Sequence, residues 1–302
     1  MRAGSGKFLR WLTASAALAG AAAGVQADGL KISHWARGLQ PGEVVLLELE
    51  SELPLTSAEA RFMDRTFPLF EERPDRWFGL VGIDLEAKPG RAALLVVGQG
   101  SGRTVESTVP LTVRSKEFPV RRLQVEDKYV TPPPEVQARI EEEARLVASI
   151  FARQEPQKWW DGSFLKPVPG PALSSFGKRS IFNGVPRSPH SGTDFKAPAG
   201  TPIQAPNRGR VVLARELYFA GNTVILDHGG GLYSYFAHLS KFAVAEGQEV
   251  QRGEVVGAVG ATGRVTGPHL HWTARLCGTR VDPVSLMAAL DHLEQQGNEA
   301  LP

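Results

Sequence analysis

The segment Gly267-Pro-His-Leu-His-Trp272 places two histidines two residues apart, directly after a Gly-Pro pair that ends a loop. Side chains two residues apart in a strand point to the same face of the sheet. We therefore predict a strand over residues 269–276, with His269 and His271 facing one cavity and Leu270 pointing into a core on the other side. One imidazole of the pair can then hold a metal ion while the other stays free beside it.

A second group of candidate ligands lies upstream of this pair. His190 and Asp194 are four residues apart, but the Ser-Gly-Thr between them and the Ser-Pro before them argue against a helix. We expect a loop that enters a strand, with both side chains turned inward. His190, Asp194 and one member of the later histidine pair would give three ligands for a divalent ion such as zinc, with a position left open for water. The spacing alone leaves solvated or hydrogen-bonded histidines as an alternative.

The remaining histidines and the cysteine are less informative. Five of the seven histidines fall between residues 190 and 271. His238 ends a predicted strand and reaches the same cavity only if the fold brings it there. His228 precedes three glycines, and we expect a residue at the surface or one that stabilises a turn. Cys277 is predicted to be buried and structural.

The first 27 residues differ from the rest of the chain. A basic start is followed by an Ala-rich apolar run that ends in Val25-Gln-Ala27. This pattern predicts a signal peptide cleaved before Asp28, rather than a membrane anchor, and hence an exported protein without stable membrane insertion. Cleavage leaves 31 basic and 32 acidic residues of the original 34 and 32. A nearly neutral mature chain gives no indication of a nucleic-acid partner.

Changes in composition divide the rest of the chain. Short apolar runs separated by Gly, Pro and Asp turns are typical of a β-sandwich. Consecutive prolines at 132–134 interrupt that pattern, and the apolar spacing from 135 to 153 predicts a helix. We predict a mainly β protein with a signal peptide (1–27), an N-terminal β-sandwich-like domain (28–130), a helix and linker (131–171), a Gly-rich antiparallel β domain (172–287), and a C-terminal helix end and tail (288–302). The predicted strands are 44–49, 77–83, 92–97, 105–113 and 118–125, then 210–214, 223–227, 233–238, 255–259 and 269–276.

Three separated motifs in the second β domain resemble those of one family. They are Pro189-His-Ser-Gly-Thr-Asp194, Tyr235-Phe-Ala-His-Leu-Ser240 and Gly267-Pro-His-Leu-His-Trp272. In this order they are similar to the lysostaphin-type (LytM-domain) zinc metallopeptidases, which are peptidoglycan endopeptidases. The similarity covers roughly residues 172–287.

The resemblance implies a role for each matching residue. His190, Asp194 and His271 would bind one Zn²⁺ per chain, and His238 and His269 would be the catalytic histidines, with the general base not assigned between them. The implied function is a secreted zinc metalloendopeptidase that hydrolyses stem or cross-link peptides of peptidoglycan in the periplasm or cell envelope. An envelope protein could also dock on the N-terminal domain.

Two other functions compete with this one. The first is a latent or non-enzymatic envelope factor that binds the wall or activates an amidase, with the helix or linker of 135–171 covering the cleft. All five matching positions are occupied, which argues against permanent inactivity. The second is a biotinyl or lipoyl carrier, suggested by the hairpin-like sequence 244–255. A carrier needs a lysine at the hairpin tip, and the nearby Lys241 lies before that segment.

Overall fold

We describe the protein from a computed structural model, which describes residues 23–27 and 29–299. Strands dominate this part of the chain, so the prediction of a mainly β protein is confirmed. The predicted signal peptide lies largely outside the described residues, and its last five residues form a strand. No described helix is long and apolar enough to cross a membrane.

The N-terminal part forms one antiparallel sheet of eight strands. Its strand order is β1-β2-β3-β6-β5-β4-β7-β8, and the last strand approaches the first two, so the sheet curls around an apolar core. Along β8, buried and exposed residues alternate, as expected for a strand with one face on a core. The strands are β1 (Ala23–Ala27), β2 (Leu30–Trp35), β3 (Val44–Ser51), β4 (Ser57–Phe62), β5 (Arg65–Arg73), β6 (Arg76–Gly82), β7 (Gly90–Gly100) and β8 (Arg103–Val113).

The C-terminal part forms a ten-stranded sheet whose main path is β10-β13-β20-β17-β16-β15-β18. Strand β14 pairs with β19, which joins the sheet through β17, and β21 pairs with β20. The elements after β8 are β9 (Val120–Leu123), α1 (Gln137–Phe151), β10 (Ala172–Leu173), β11 (Arg179–Phe182), β12 (Val185–Pro186), β13 (Thr193–Phe195), β14 (Pro202–Gln204), β15 (Gly209–Leu217), β16 (Gly221–Asp227), β17 (Leu232–Phe242), β18 (Glu249–Val250), β19 (Val255–Val259), β20 (Leu270–Leu276), β21 (Thr279–Val281) and α2 (Pro283–Glu299).

Helix α1 packs on one face of the C-terminal sheet. Its last two residues, Ile150 and Phe151, are buried. They belong to an apolar cluster with residues of β15, β16 and β17, among them Leu213, Ile225 and Tyr233. Burial of this apolar stripe holds the helix against the sheet.

The chain between the two large sheets differs from the sequence-based expectation. The run 118–125 does contain a strand, but β9 pairs in parallel with β11 and not with the N-terminal sheet. It thereby builds a small three-stranded sheet with β11 and β12. Spacing could not show this, because the partner strand lies some sixty residues further along the chain.

A buried polar network joins the N-terminal sheet to α2. The Glu43 carboxylate accepts two hydrogen bonds from Arg37, both 3.0 Å long, and one from the Ser285 hydroxyl at 2.7 Å. Arg37 also reaches Asp282 at 3.1 Å. Burial by itself would lower the pKa of Arg37, but the Glu43 carboxylate outweighs it and raises the pKa. The contact between the two parts of the chain is therefore specific, because a buried charge left unpaired would be costly.

Candidate metal and catalytic site

Strand pairing brings three candidate ligands together. In the antiparallel ladder of β13 and β20, Asp194 lies directly opposite His271. Oδ1 of Asp194 is 3.1 Å from Nδ1 of His271 and 3.1 Å from Nε2 of His190. The ligand atoms of the three residues all lie within 4.8 Å of one another.

Ser175 organises two of these three residues. Nδ1 of His190 lies 3.1 Å from the Ser175 carbonyl, and the Ser175 hydroxyl accepts a hydrogen bond of 2.8 Å from the backbone N–H of Asp194. A carbonyl only accepts, so Nδ1 of His190 carries a proton, and Nε2 is the ring nitrogen that faces Asp194. No motif in the sequence pointed to Ser175, because its role depends on the fold alone.

Thr273 supports the third residue. It follows His271 by two positions on β20 and therefore faces the same side of the sheet. Its Oγ1 lies 2.9 Å from Nε2 of His271, while Nδ1 of that ring faces Asp194. Leu270 is fully buried on the other face, as predicted. The alternation of β20 thus separates the polar site from the core.

His238 reaches the same cavity through an irregularity in β17. Regular alternation would send Ala237 and His238 to opposite faces, yet both line the cavity. The pairing of β17 with β16 shifts register here, and His238 has a positive φ of 66°. A bulge of this kind re-aims a side chain next to a functional site.

His238 and His269 are held in the same tautomer. Nδ1 of His238 lies 2.9 Å from the Thr262 carbonyl, and Nδ1 of His269 lies 2.8 Å from the Gly267 carbonyl. Nδ1 therefore carries a proton in both rings, which leaves Nε2 as the nitrogen available for proton transfer. The two ring centroids are 5.2 Å apart, and Nε2 of His269 is 3.6 Å from Oδ1 of Asp194.

The protonation states suit metal binding. Burial alone would raise the pKa of Asp194, but hydrogen bonds and charge from His190 and His271 outweigh it and hold the pKa well below its usual range. Burial lowers the pKa of His271. Burial, helped by the neighbouring histidines, lowers the pKa of His238 to about 3. An ionised carboxylate and a neutral imidazole are the forms in which Asp194 and His271 could bind a divalent ion.

The donor set fits a catalytic zinc site. Two imidazole nitrogens and a carboxylate oxygen are common zinc ligands. Within the part of the chain that the structure describes, no fourth protein ligand joins this group. A three-ligand site keeps one position open, as catalytic zinc requires.

The site lies in a cavity of about 760 Å³. Residues 219–220 line it, as does β9, whose Arg121 places Nη1 3.8 Å from Oδ2 of Asp194. Val147 and Phe151 of α1 line another part of the wall. The loop 228–231 does not line it and instead contacts the linker, where Gly230 donates to the carbonyls of Glu155 and Gln157.

The expectation that His228 lies at the surface or supports a turn is only half right. The side chain is fully buried, with Nδ1 donating to the Arg208 carbonyl at 2.7 Å and Nε2 2.9 Å from the Ser234 hydroxyl. The ring of Phe164 packs against it in a T-shaped arrangement, with 5.0 Å between centroids. Burial lowers its pKa to about 4, so the ring is neutral. Cys277 is buried, as predicted.

Fold and site together define a metallopeptidase. Residues 188–283 match the model of peptidase family M23. A Pseudomonas aeruginosa crystal structure assigned to peptidase M23 is 36% identical, with a TM-score of 0.66, and the match covers 83% of this chain and 96% of that one. The chain belongs to peptidase family M23, which confirms the resemblance to lysostaphin-type peptidases.

Curated relatives match over part of the chain. The peptidoglycan DD-endopeptidase ShyA of Vibrio cholerae is 44% identical over 117 residues, and the match covers 38% of this chain and 26% of that protein. The DD-carboxypeptidase/endopeptidase Mpg of Neisseria meningitidis is 44% identical over 111 residues, covering 37% and 26%. The chain thus spans about a quarter of the length of these relatives.

Proposed function

We propose that the chain is a zinc-dependent endopeptidase that hydrolyses peptide bonds in the stem or cross-link peptides of peptidoglycan. The observation that carries the proposal is the meeting of His190, Asp194 and His271 with two further histidines in one cavity. The names of the matched relatives support peptidoglycan as the substrate.

In this proposal His190, Asp194 and His271 hold one zinc ion. His190 would bind through Nε2 and His271 through Nδ1, since these atoms face the Asp194 carboxylate. When bound, zinc would act as a Lewis acid and lower the pKa of water, so that water could lose a proton and attack a peptide carbonyl near neutral pH. The Ser175 carbonyl and the Thr273 hydroxyl fix the outer nitrogens of the two imidazoles, and partners of this kind tune a metal site.

His238 and His269 move protons in the proposed reaction. A water that attacks a carbonyl must lose a proton, and the departing amine must gain one. Nε2 of either ring can accept a proton, because Nδ1 is already bonded to a carbonyl. A histidine that has taken the proton can donate a hydrogen bond to the developing oxyanion and can then transfer the proton to the departing amine. Both residues remain candidates for the general base.

We further propose that the chain works outside the cytoplasm, in the periplasm or cell envelope. The predicted signal peptide and the peptidoglycan-directed relatives support this location. Cleavage before Asp28 would remove β1, an edge strand, and leave β2 to β8 in place. The N-terminal sheet remains the part proposed to receive an envelope protein.

Latency of the same site is the second candidate. Its support is that β9 and α1 both line the cavity and that Arg121 approaches Asp194. In a latent enzyme, these elements would have to move before a cross-linked peptide could enter.

Zinc content and muropeptide release, measured together on the chain from Asp28 onward, test the proposal. We expect about one zinc per chain, as one three-ligand site requires, and cleavage of cross-linked peptides that stops with a chelator. Bound zinc without cleavage would favour latency. Absence of zinc would contradict the enzyme and favour a wall-binding or amidase-activating role.

A further inference from the structure

The cavity that contains the metal-binding residues is rich in arginine. Four arginine side chains line it, while Asp194 is the one carboxylate among its described lining residues. Two of the four contact a residue of the candidate site or of α1. Arg121 approaches Asp194, and Arg275 stacks on the ring of Phe151 with Cζ 5.1 Å from the centroid. The other two are Arg187 and Arg264.

Aromatic rings hold the guanidinium of Arg264 in place. Its Cζ lies 4.9 Å from the ring centroid of Phe182 and 4.7 Å from that of Phe219. Both rings line the same cavity. Stacking on aromatic faces orients the planar fork of arginine while leaving its N–H groups at the edge free to bind.

Neither Arg187 nor Arg264 has a carboxylate partner among the described residues. Arg187 donates from Nη2 to the Val130 carbonyl, and its buried Nε has no hydrogen-bond partner. Burial and the charge of Arg187 lower the pKa of Arg264 to about 10. Two neighbouring, partly buried cations without an anion are unfavourable, so a bound anion would stabilise this wall of the cavity.

The two arginines also lie close to the site along the chain. Arg187 precedes His190 by three residues, and Arg264 precedes His269 by five. Segments of this length span at most about 10 and 17 Å when fully extended. A peptide whose scissile bond lies at the histidines can therefore reach both guanidinium groups within a few residues.

We propose that Arg187 and Arg264 form a subsite for a free carboxylate of the peptide substrate. Guanidinium forks bind carboxylates through two parallel hydrogen bonds, which gives geometric specificity. The inference rests on the proposed peptidase function and adds to it a requirement for negative charge on the substrate. The carboxylate is that of a chain end or of an acidic side chain, and both have the same chemistry.

Three versions of one cross-linked peptide test the subsite: both carboxylates free, the chain end amidated, and the side chain amidated. With the full wild-type chain, we expect amidation of one of the two positions to lower kcat/KM at least tenfold. In Arg264→Gln, we expect kcat/KM for the free acid to fall by a similar factor, with no further loss on amidation. Arg187→Gln should likewise lower kcat/KM for the free acid and reduce the effect of amidation. The position that matters identifies the carboxylate.

Arg210→Gln is the matched control. Arg210 also stacks on an aromatic ring, Trp159, at 5.1 Å, but it pairs with Glu249 and does not line the cavity. This variant should keep the wild-type response to amidation. Arg264→Lys keeps the positive charge but loses the planar guanidinium fork. Compared with Arg264→Gln, it should recover part of the preference for the free acid over the amidated peptide. Equal wild-type cleavage of all three peptides, or an equal loss in Arg264→Gln on free and amidated peptides, would overturn the subsite.

Equilibrium binding of the same peptides to the chelator-treated chain separates this inference from the peptidase itself. Binding that depends on the carboxylate and on Arg264, without cleavage by the zinc-loaded chain, would overturn only the proposed activity. Cleavage without discrimination would overturn only the subsite. Absence of both carboxylate-dependent binding and cleavage would overturn the subsite and the proposed activity together.

Discussion

Oγ1 of Thr273 lies 2.9 Å from Nε2 of His271, on the side of the imidazole opposite Asp194. The hydroxyl can accept a hydrogen bond from Nε2, which leaves Nδ1 as the nitrogen that could bind a metal ion beside the carboxylate. We expect Thr273→Val, which removes the hydroxyl and keeps the shape, to weaken zinc binding by about 10- to 100-fold. Competition with a chelator of known affinity measures the change.

Thr279→Val is the control for this substitution. Thr279 is also a buried threonine, but it lies in β21, away from the cavity that holds the histidines. Its replacement should leave zinc affinity unchanged. If Thr273→Val also binds zinc as tightly as the wild type, the hydroxyl does not orient His271.

Burial of His228 predicts acid sensitivity. The folded chain protonates this ring at about pH 4, whereas an unperturbed histidine does so at 6.5. Between these values the unfolded chain binds more protons, so the free energy of unfolding falls as the pH is lowered from 6.5 to 4. The full loss is about 3 kcal/mol. Urea unfolding across this pH range measures it.

His228→Gln tests the assignment of that acid sensitivity. A glutamine can donate to the Arg208 carbonyl and accept from Ser234 but does not titrate. We expect a variant that is less stable at pH 7 and whose stability falls less steeply below pH 6.5. A pH dependence as steep as that of the wild type would assign the effect to other groups.

The sequence predicts the site residues more directly when they lie on one strand than when they depend on long-range pairing. His269 and His271 share a cavity because side chains alternate along β20, a local property that spacing reveals. The contributions of Ser175 and Thr273 depend on long-range pairing and on hydroxyl orientation, which leave no local pattern. The bulge that turns His238 into the cavity likewise depends on the register between β16 and β17.

The fold shows the same contrast between local patterns, which the sequence reveals, and long-range contacts, which it does not. The strongest apolar runs, such as 77–83 and 105–113, are observed as β6 and β8. The sequence does not predict strands β4 and β5, because their apolar residues alternate with charged ones and their apolar runs are short. The expectation for His228 is partly wrong because a Gly-rich turn is normally exposed, whereas here the linker and Phe164 cover it.

We expect His269 and His271, the two histidines of the His-x-His pair, to have different functions. We expect His269→Ala to lose hydrolysis and retain about one zinc per chain, because His190, Asp194 and His271 form the compact group proposed to hold the metal. His271→Ala should lose both hydrolysis and zinc. Metal analysis and peptide cleavage on the same samples distinguish the two variants. Loss of zinc from His269→Ala, with zinc retained by His271→Ala, would reverse the assignment.

Ser285 links the two parts of the chain in the interior. Its hydroxyl donates to Glu43 at 2.7 Å and accepts from the backbone N–H of Val44 at 2.9 Å, and the residue is fully buried. Ser285→Ala leaves both groups short of a partner, so we expect the free energy of unfolding to fall by about 2 kcal/mol. Ser149→Ala, at an exposed site on α1, should change it by less than about 0.5 kcal/mol. Equal stability of the two variants in urea would mean that this network does not stabilise the contact between the N-terminal sheet and α2.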